Sequence, residues 1–182
     1  MLKISYWPVL VFGAPRTGTT MLTEWLAHAN PCDRVFCEPD LNPVRWGEFC
    51  DTRNTGARYM VKLQGHRIHQ VKDLVGTRIL VHRQDITAQV ASHYLAYTRR
   101  KWYYREGESS LDPVAIDTAV IDRSVGIIHQ ERSWCSAEKW DVAVAYEYLL
   151  AHAPAAIASQ VTPKPSNYSQ LLAAVCDRIK DS

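Results

Sequence analysis

The sequence lacks the features that mark several specialised classes of protein. Its 182 residues contain no apolar run near the roughly 20 residues of a membrane-spanning helix, and no repeat of fixed period. Its five cysteines are an odd number and form no Cys-x-x-Cys pair, so neither a disulfide framework nor a zinc site is predicted. These absences argue against a membrane span, a solenoid and a small disulfide-bonded scaffold, and they favour free thiols in a reducing compartment.

An excess of either charge is also missing. The chain has 21 Lys and Arg against 19 Asp and Glu, interspersed with one another, so we expect neither nucleic acid nor a membrane surface as a partner. Residues 1–13 combine a single lysine with a short apolar run that ends in a glycine-rich turn instead of a small-residue cleavage site, and this favours a cytoplasmic protein. Any anion that the protein binds must therefore be held by a local site.

The sequence does contain the alternation of strands and helices that is typical of an α/β fold. Residues 6–12 are apolar and stop at Gly13, as expected for a strand buried on both faces at the centre of a parallel sheet. The length suits one domain with one core, so we expect a three-layer α/β fold of the P-loop type, a central parallel sheet flanked by helices. Further predicted strands cover 58–63, 77–82 and 143–146, and predicted helices cover 19–28, 66–75, 85–100, 116–140, 151–159 and the residues from 168 onward.

One long segment shows no clear periodicity. Residues 31–57 are rich in Pro, Asn, Asp, Arg and Trp, and we expect a long irregular excursion over the edge of the sheet. Substrates usually meet α/β folds at such an edge. Residues 103–113 are predicted to form a polar loop, and 163–165 a loop bounded by prolines.

The strongest chemical signal lies between the first predicted strand and the first predicted helix. Residues 13–20 read Gly-Ala-Pro-Arg-Thr-Gly-Thr-Thr, which is Gly-x-x-x-x-Gly followed by two hydroxyl residues. Glycines let backbone N–H groups close around a phosphate, and the start of a helix adds unpaired donors and the positive end of a dipole. The motif predicts an anion-binding loop, and a plain glycine turn is the alternative.

This loop differs from that of nucleoside triphosphatases. Thr19 stands where those proteins have a lysine, and the basic residue lies inside the loop at Arg16, whose guanidinium can grip phosphate and sulfate oxygens with its fixed fork of donors. No Asp follows the apolar run 79–81 as a magnesium-anchoring acid would. A nucleotide or small-molecule kinase is therefore disfavoured but stays the first alternative, and a non-catalytic nucleotide-binding protein is the second.

Several separated motifs resemble those of P-loop sulfotransferases, which use 3′-phosphoadenosine-5′-phosphosulfate (PAPS), and most of all the bacterial trehalose 2-sulfotransferase group. Residues 15–20 are similar to the family's 5′-phosphosulfate loop, and residues 82–92 to its strand–turn–helix that binds the 3′-phosphate. Together with the scattered matches, the resemblance covers most of residues 8–150. The scattered matches are Ala96, Thr98, Trp102, Glu131, Trp134, Tyr146, Glu147 and Leu149.

The resemblance implies roles for the residues of these motifs. Arg16 would stabilise charge on the bridging oxygen and the departing phosphate. Arg83 and Ser92 would bind the 3′-phosphate, although Arg83 precedes Ser92 by nine positions where the family commonly has eight. Sulfuryl transfer demands no metal. The remaining loop residues that would bind PAPS are Thr17, Gly18, Thr19 and Thr20.

Sulfuryl transfer also needs a base that takes the proton of the acceptor. Glu38 lies 20 residues after Gly18, in the segment where the resembling bacterial group carries a catalytic Glu; a solvated loop carboxylate is the alternative. Asp40 is a nearby substitute. His66 is the rival, because cytosolic members place a catalytic His just beyond a lysine similar to Lys62, which is itself either a site residue or an edge lysine.

The sequence therefore predicts a PAPS-dependent sulfotransferase that acts on a hydroxyl or amine of a small-molecule or carbohydrate acceptor and releases 3′-phosphoadenosine-5′-phosphate (PAP). The chain is short for the family, so the acceptor pocket is either abbreviated or completed by a second subunit of a homodimer. The C-terminal glycine-containing loop of many cytosolic members is not visible. The cluster Arg99 to Lys101 would supply charge in its place, or form a solvated helix end, and Trp102 is the candidate for stacking near adenine.

Overall fold

A computed structural model describes residues 4–102, 112–154 and 164–180. Its strands are β1 (Val9–Gly13), β2 (Arg34–Cys37), β3 (Tyr59–Gln64), β4 (Thr77–His82) and β5 (Val142–Ala145). They form a parallel sheet in the order β2-β3-β1-β4-β5. β1 lies at the centre, as predicted, between β3 and β4.

Helices cover both faces of this sheet. The arrangement confirms the expected α/β class, with a central parallel sheet flanked by helices. No helix among the described residues is both long enough and apolar enough to cross a membrane. The described helices are α1 (Thr19–Ala29), α2 (Pro43–Thr52), α3 (Ile86–Thr98), α4 (Thr118–Ser136), α5 (Tyr146–His152) and α6 (Tyr168–Lys180), with short 3₁₀ helices at Pro39–Leu41 and Gly65–Gln70.

The alternation of side chains along β1 divides the core into two layers. Val9 and Val11 pack with α1 and α5, whereas Leu10 and Phe12 pack with α2, the second 3₁₀ helix and α4. All four side chains are fully buried, which confirms the prediction of a strand buried on both faces for residues 9–12; the strand begins at Val9 instead of residue 6, and Tyr6 is exposed. A third cluster joins α3, α4 and α6 through Val90, Tyr94, Ile121, Ile128, Leu171 and Val175.

The expectation of an irregular segment over residues 31–57 was wrong. This segment contains β2, a 3₁₀ helix and α2. Asn42 caps α2, because its Oδ1 accepts hydrogen bonds from the backbone N–H groups of Val44 (2.9 Å) and Arg45 (3.3 Å), and Pro43 occupies the first helical position. The helix is anchored by Phe49, which is fully buried against Phe36 of β2 with 5.6 Å between ring centroids.

Several predicted boundaries also shift. The helix predicted for 66–75 is a 3₁₀ helix that ends at Gln70, and the helix predicted for 116–140 ends at Ser136. The helix predicted for 151–159 begins earlier, at Tyr146, and ends at His152; residues 155–159 lie outside the described residues. Most of the polar loop predicted for 103–113, and Pro163 of the proline-bounded loop, also lie outside them.

The topology places the predicted motifs at one edge of the sheet. The chain leaves β1 toward β2 on one side and later continues from β3 to β4 on the other, so the connections diverge at β1. Such a divergence opens a crevice beyond the carboxyl ends of parallel strands, where ligands of α/β proteins bind. Gly13, Gln64 and His82 end β1, β3 and β4 at this edge.

Candidate active site

A cavity of about 420 Å³ lies beyond the carboxyl ends of β1 and β3. Its volume falls within the range of small-molecule sites. The loop that follows β1 forms one wall, and the described lining includes one carboxylate, Glu38, among four basic side chains. Because positive charge exceeds negative charge, the cavity suits an anionic ligand. The four basic residues are Arg16, Lys62, Arg83 and Lys164.

The loop after β1 requires glycine at two positions. A Cβ atom on Gly13 would lie 2.6 Å from the carbonyl oxygen of Val81, and Gly18 has a φ of +84° with the Tyr146 ring 2.6 Å from the place of its Cβ. Arg16 between them also has a left-handed backbone, with a φ of 66°. Left-handed residues in such a loop let successive N–H groups converge, which is how backbone loops bind anions.

The Arg16 side chain reaches from this loop to α3. Its Nε donates a hydrogen bond to Ser92 Oγ (3.0 Å), and its Nη1 donates to the backbone carbonyl of Trp102 (2.6 Å). Arg16, Ser92 and Trp102 all line the cavity. The structure thus brings together Arg16 and Ser92, which the resemblance had assigned to opposite ends of the donor.

Arg83 follows β4 and lies next to the same loop. Its guanidinium carbon lies 4.5 Å from the centre of the Tyr146 ring, and its Nη1 is 3.5 Å from the carbonyl oxygen of Arg16. Burial raises the pKa of the Tyr146 hydroxyl above its ordinary value. Arg83 Nε is buried and has no hydrogen-bond partner among the described residues. A buried unpaired donor is costly, so this atom suits an oxygen that a ligand supplies.

Glu38 belongs to a second cluster within the cavity. Its Oε1 accepts from Lys62 Nζ (3.1 Å) and from Gln64 Nε2 (3.0 Å), and Lys62 Nζ also donates to Thr20 Oγ1 (2.8 Å). The Glu38 and Lys62 side chains are 13% and 7% exposed. A largely buried carboxylate beside a lysine and a hydroxyl can take a proton from a nucleophile while the lysine stabilises developing negative charge.

The other predicted hydroxyl donors differ in placement. Thr19 lines the cavity together with Thr20. Thr17 does not line it, because its Oγ1 is buried and donates to the carbonyl oxygen of Ala14 (2.9 Å). The Thr17 hydroxyl therefore stabilises the conformation of the loop.

The two rivals of Glu38, Asp40 and His66, do not line the cavity. His66 Nδ1 is 2.6 Å from Glu131 Oε1, and the His66 backbone N–H donates to Glu131 Oε2 (3.2 Å). Asp40 Oδ2 accepts from Arg67 Nε (3.0 Å) and lies 4.0 Å from His66 Nε2. Asp40 and His66 thus belong to a separate polar cluster, in which Glu131 orients the imidazole.

Several residues of the cavity lining were missed from the sequence, among them Gln64, Lys164 and Tyr168. Tyr168 lines the cavity from the first residue of α6 and Lys164 from the segment that precedes this helix, with Lys164 Nζ 5.2 Å from the centre of the Tyr168 ring. Arg99, for which a charge near the donor and a solvated helix end were the two alternatives, lies outside the cavity lining and donates from Nη2 to the Asp112 carbonyl (3.2 Å). The one available signal for Lys164 was its position between two prolines.

The chemistry of this cavity must be inferred from its own side chains. Within the described ranges, no three His, Cys, Asp or Glu side chains are grouped so that they could hold a metal ion. Comparison of the chain with known protein families finds no family model that matches, and comparison with curated proteins finds no match.

Proposed function

We propose that this protein is a sulfotransferase that moves a sulfuryl group from PAPS to a hydroxyl or amine of an acceptor and releases PAP. The observation that carries the proposal is one cavity in which a glycine loop, two arginines and a Glu38–Lys62 ion pair face each other. A phosphate-binding loop alone fits many nucleotide-binding proteins. The carboxylate and the lysine beside the loop add the proton acceptor and the cation that group transfer needs.

The donor set fits a nucleotide with two separate phosphates. One anion-holding group comprises the loop N–H donors with Thr20 and Lys62, and the other comprises Ser92, Arg16 and the unpaired Nε of Arg83. PAPS carries a phosphosulfate at one end of its ribose and a phosphate at the other. The faces of Trp102 and Tyr168, which line the same cavity, offer flat apolar surface for adenine.

The chain's own residues then divide the work of the reaction. PAPS supplies the activated sulfuryl group. The oxygen or nitrogen of the acceptor bonds to sulfur while the bond between sulfur and the bridging oxygen of PAPS breaks. Glu38 takes the proton that the acceptor hydroxyl or amine loses in this step. Lys62 and Thr20 donate hydrogen bonds to the oxygens on which negative charge grows.

This proposal gives the role at the sulfuryl group to Lys62, whereas the sequence resemblance had given it to Arg16. The Arg16 guanidinium donates to Ser92 Oγ at 3.0 Å, so in our proposal Arg16 holds the 3′-phosphate together with Ser92 and Arg83. Lys62 takes the position at the sulfuryl group, because its Nζ lies 2.8 Å from Thr20 Oγ1 and 3.1 Å from Glu38 Oε1.

Calorimetric titration with PAP tests the proposal. We expect micromolar affinity that magnesium does not change, and an affinity about tenfold or more weaker for Arg16→Ala, because a charge-assisted contact to phosphate is lost. Arg53→Ala is the control, since it removes the same charge from the end of α2, outside the cavity lining. Magnesium-dependent binding of ATP without binding of PAP would replace the sulfotransferase with a kinase.

A further inference from the structure

Two polar side chains outside the cavity lining, Gln89 and Arg132, connect the backbones that carry Arg16 and Arg83. Gln89 lies in α3 and has no exposed surface. Its Nε2 donates to the carbonyl oxygen of Pro15 (2.8 Å), and its Oε1 accepts from Arg132 Nη1 (3.1 Å). The same Nη1 donates to the carbonyl oxygen of Arg83 (2.8 Å).

We propose that Gln89 and Arg132 are positioning residues for the anion site. They form a brace, defined here as this pair with its hydrogen bonds to Pro15 and Arg83, which fixes the loop after β1 relative to the turn after β4. A further contact, between Arg83 Nη1 and the carbonyl oxygen of Arg16 (3.5 Å), connects the turn and the loop directly. The brace is assigned to PAP binding, so this part of the inference rests on the proposed function.

The geometry of the Pro15–Arg16 peptide explains why an anchor is needed there. Arg16 has a left-handed backbone, which is disfavoured for a residue with a Cβ atom and persists where its surroundings hold it. The peptide bond is planar, so the hydrogen bond from Gln89 to the Pro15 carbonyl also fixes the direction of the Arg16 N–H. That N–H belongs to the loop that faces the cavity.

Packing alone does not explain why a glutamine is buried at position 89. A buried amide costs free energy unless both of its polar ends are hydrogen-bonded, and an apolar side chain would fill the same volume of α3 without that requirement. Both ends of the Gln89 amide are used, one on the loop and one on Arg132. The two contacts join three separate parts of the chain.

The test compares Gln89→Met, which keeps the shape but loses both hydrogen bonds, with Thr52→Val. The control removes a largely buried hydrogen bond from Thr52 Oγ1 to the Glu48 carbonyl (2.7 Å) in α2. We expect Gln89→Met to weaken PAP binding about tenfold and to accelerate amide exchange in residues 13–18. Thr52→Val should change neither quantity.

A double-mutant cycle separates positioning from general destabilisation. If the brace acts through Arg16, Gln89→Met should cost much less PAP affinity in an Arg16→Ala background than in the wild type. Arg132→Met should also weaken binding, and Arg132→Lys, which retains a donor, should recover part of the loss.

Strictly additive losses, or equal PAP affinity and equal loop exchange for Gln89→Met and Thr52→Val, would overturn the brace. Failure of the wild-type protein to bind PAP would instead defeat the sulfotransferase proposal. In that case amide exchange in residues 13–18 still tests the brace. Faster exchange in Gln89→Met than in Thr52→Val would support it, and equal exchange would overturn it.

Discussion

At the scale of single residues, two of the three described non-glycine residues with a left-handed backbone lie at the candidate site, and the third, Arg100, lies outside the cavity lining. Arg16 and Glu38 have φ values of 66° and 46°, in a region that residues with a Cβ atom rarely adopt. Such conformations persist where surrounding contacts determine them, and they concentrate at functional sites. Arg16 is held by Ser92, and Glu38 by Lys62 and Gln64. Their strain supports the assignment of both residues to the site.

If Glu38 is the base, its loss should greatly reduce sulfuryl transfer without changing the affinity for PAP. Glu38→Gln keeps the side-chain shape and an acceptor for Lys62 but removes the proton acceptor. We expect unchanged PAP affinity and a loss of sulfuryl transfer on the order of 10²- to 10⁴-fold. The measurement is transfer from radiolabelled PAPS to a panel of alcohols, phenols and sugars.

The matched control for this change is Glu48→Gln, an equal substitution on an exposed part of α2, which should keep full transfer. An active Glu38→Gln enzyme together with an inactive His66→Gln enzyme would move the base to the imidazole. That result would require a different arrangement around His66, which does not line the cavity and whose Nδ1 lies 2.6 Å from Glu131 Oε1.

Which site residues the sequence could predict depends on how they reach the cavity. Arg16, Arg83 and Ser92 lie in local motifs next to strand ends, so strand prediction places them together. Lys164 reaches the cavity only through the packing of α6 on α3 and α4, and no local pattern reports that contact. The hydrogen bond from the Thr17 hydroxyl to the Ala14 carbonyl could not be predicted for a related reason, since composition does not reveal where a hydroxyl points.

At the scale of elements, strands with a recognisable apolar pattern were predicted from the sequence, and elements without such a pattern were not. β1 and β3 are buried, largely apolar runs, whereas β4 buries Ile79 and Val81 at alternate positions; the sequence indicated all three strands. β2 is a four-residue edge strand with two exposed residues, so it presents no such run. α2 has only two buried residues, Phe49 and Thr52, and its clearest local mark in the sequence is the Asn42–Pro43 start.

The junction between the loop and α1 yields a prediction about stability. Gly18→Ala must place a Cβ atom 2.6 Å from the Tyr146 ring at a φ of +84°. Strain and overpacking together should cost about 3 kcal/mol of unfolding free energy. Because Tyr146 supports the Arg83 guanidinium, PAP binding should weaken as well.

The control for this change is Gly126→Ala in α4, where a Cβ atom meets nothing within 4 Å. It should stabilise the protein by about 0.5 to 1 kcal/mol through helix propensity, without changing PAP affinity. Urea unfolding of both variants gives the two free energies. Equal stability of Gly18→Ala and the wild type would show that the loop does not require a left-handed glycine.

At the scale of the whole molecule, the cavity combines parts of the chain that are distant in sequence. Arg16, Glu38, Arg83 and Lys164 come from four separate connections and meet only when the sheet and its helices are assembled. α3 contributes Ser92 and Leu95 to the cavity lining and buries the neighbouring His93, so this helix bears on both binding and stability.

His93 makes the stability of the protein depend on pH. Its side chain is buried, its Nδ1 lies 3.0 Å from Ser124 Oγ, and its ring lies 5.4 Å from that of Trp102. Burial, with smaller contributions from the charges of Arg16 and Arg123, lowers the pKa of His93 from 6.5 to about 4. The unfolded chain therefore binds a proton at this residue at a higher pH than the folded protein does.

Stability must accordingly fall as the pH drops from 6.5 toward 4, by about 3 kcal/mol from this group alone, and this group contributes no slope above that window. His93→Gln keeps a partner for Ser124 but does not titrate. The difference in unfolding free energy between wild type and His93→Gln, measured in urea from pH 7.5 to pH 4, should therefore change by that amount. Parallel curves for wild type and His93→Gln would mean that the imidazole is protonated inside the folded protein, next to the guanidinium of Arg16.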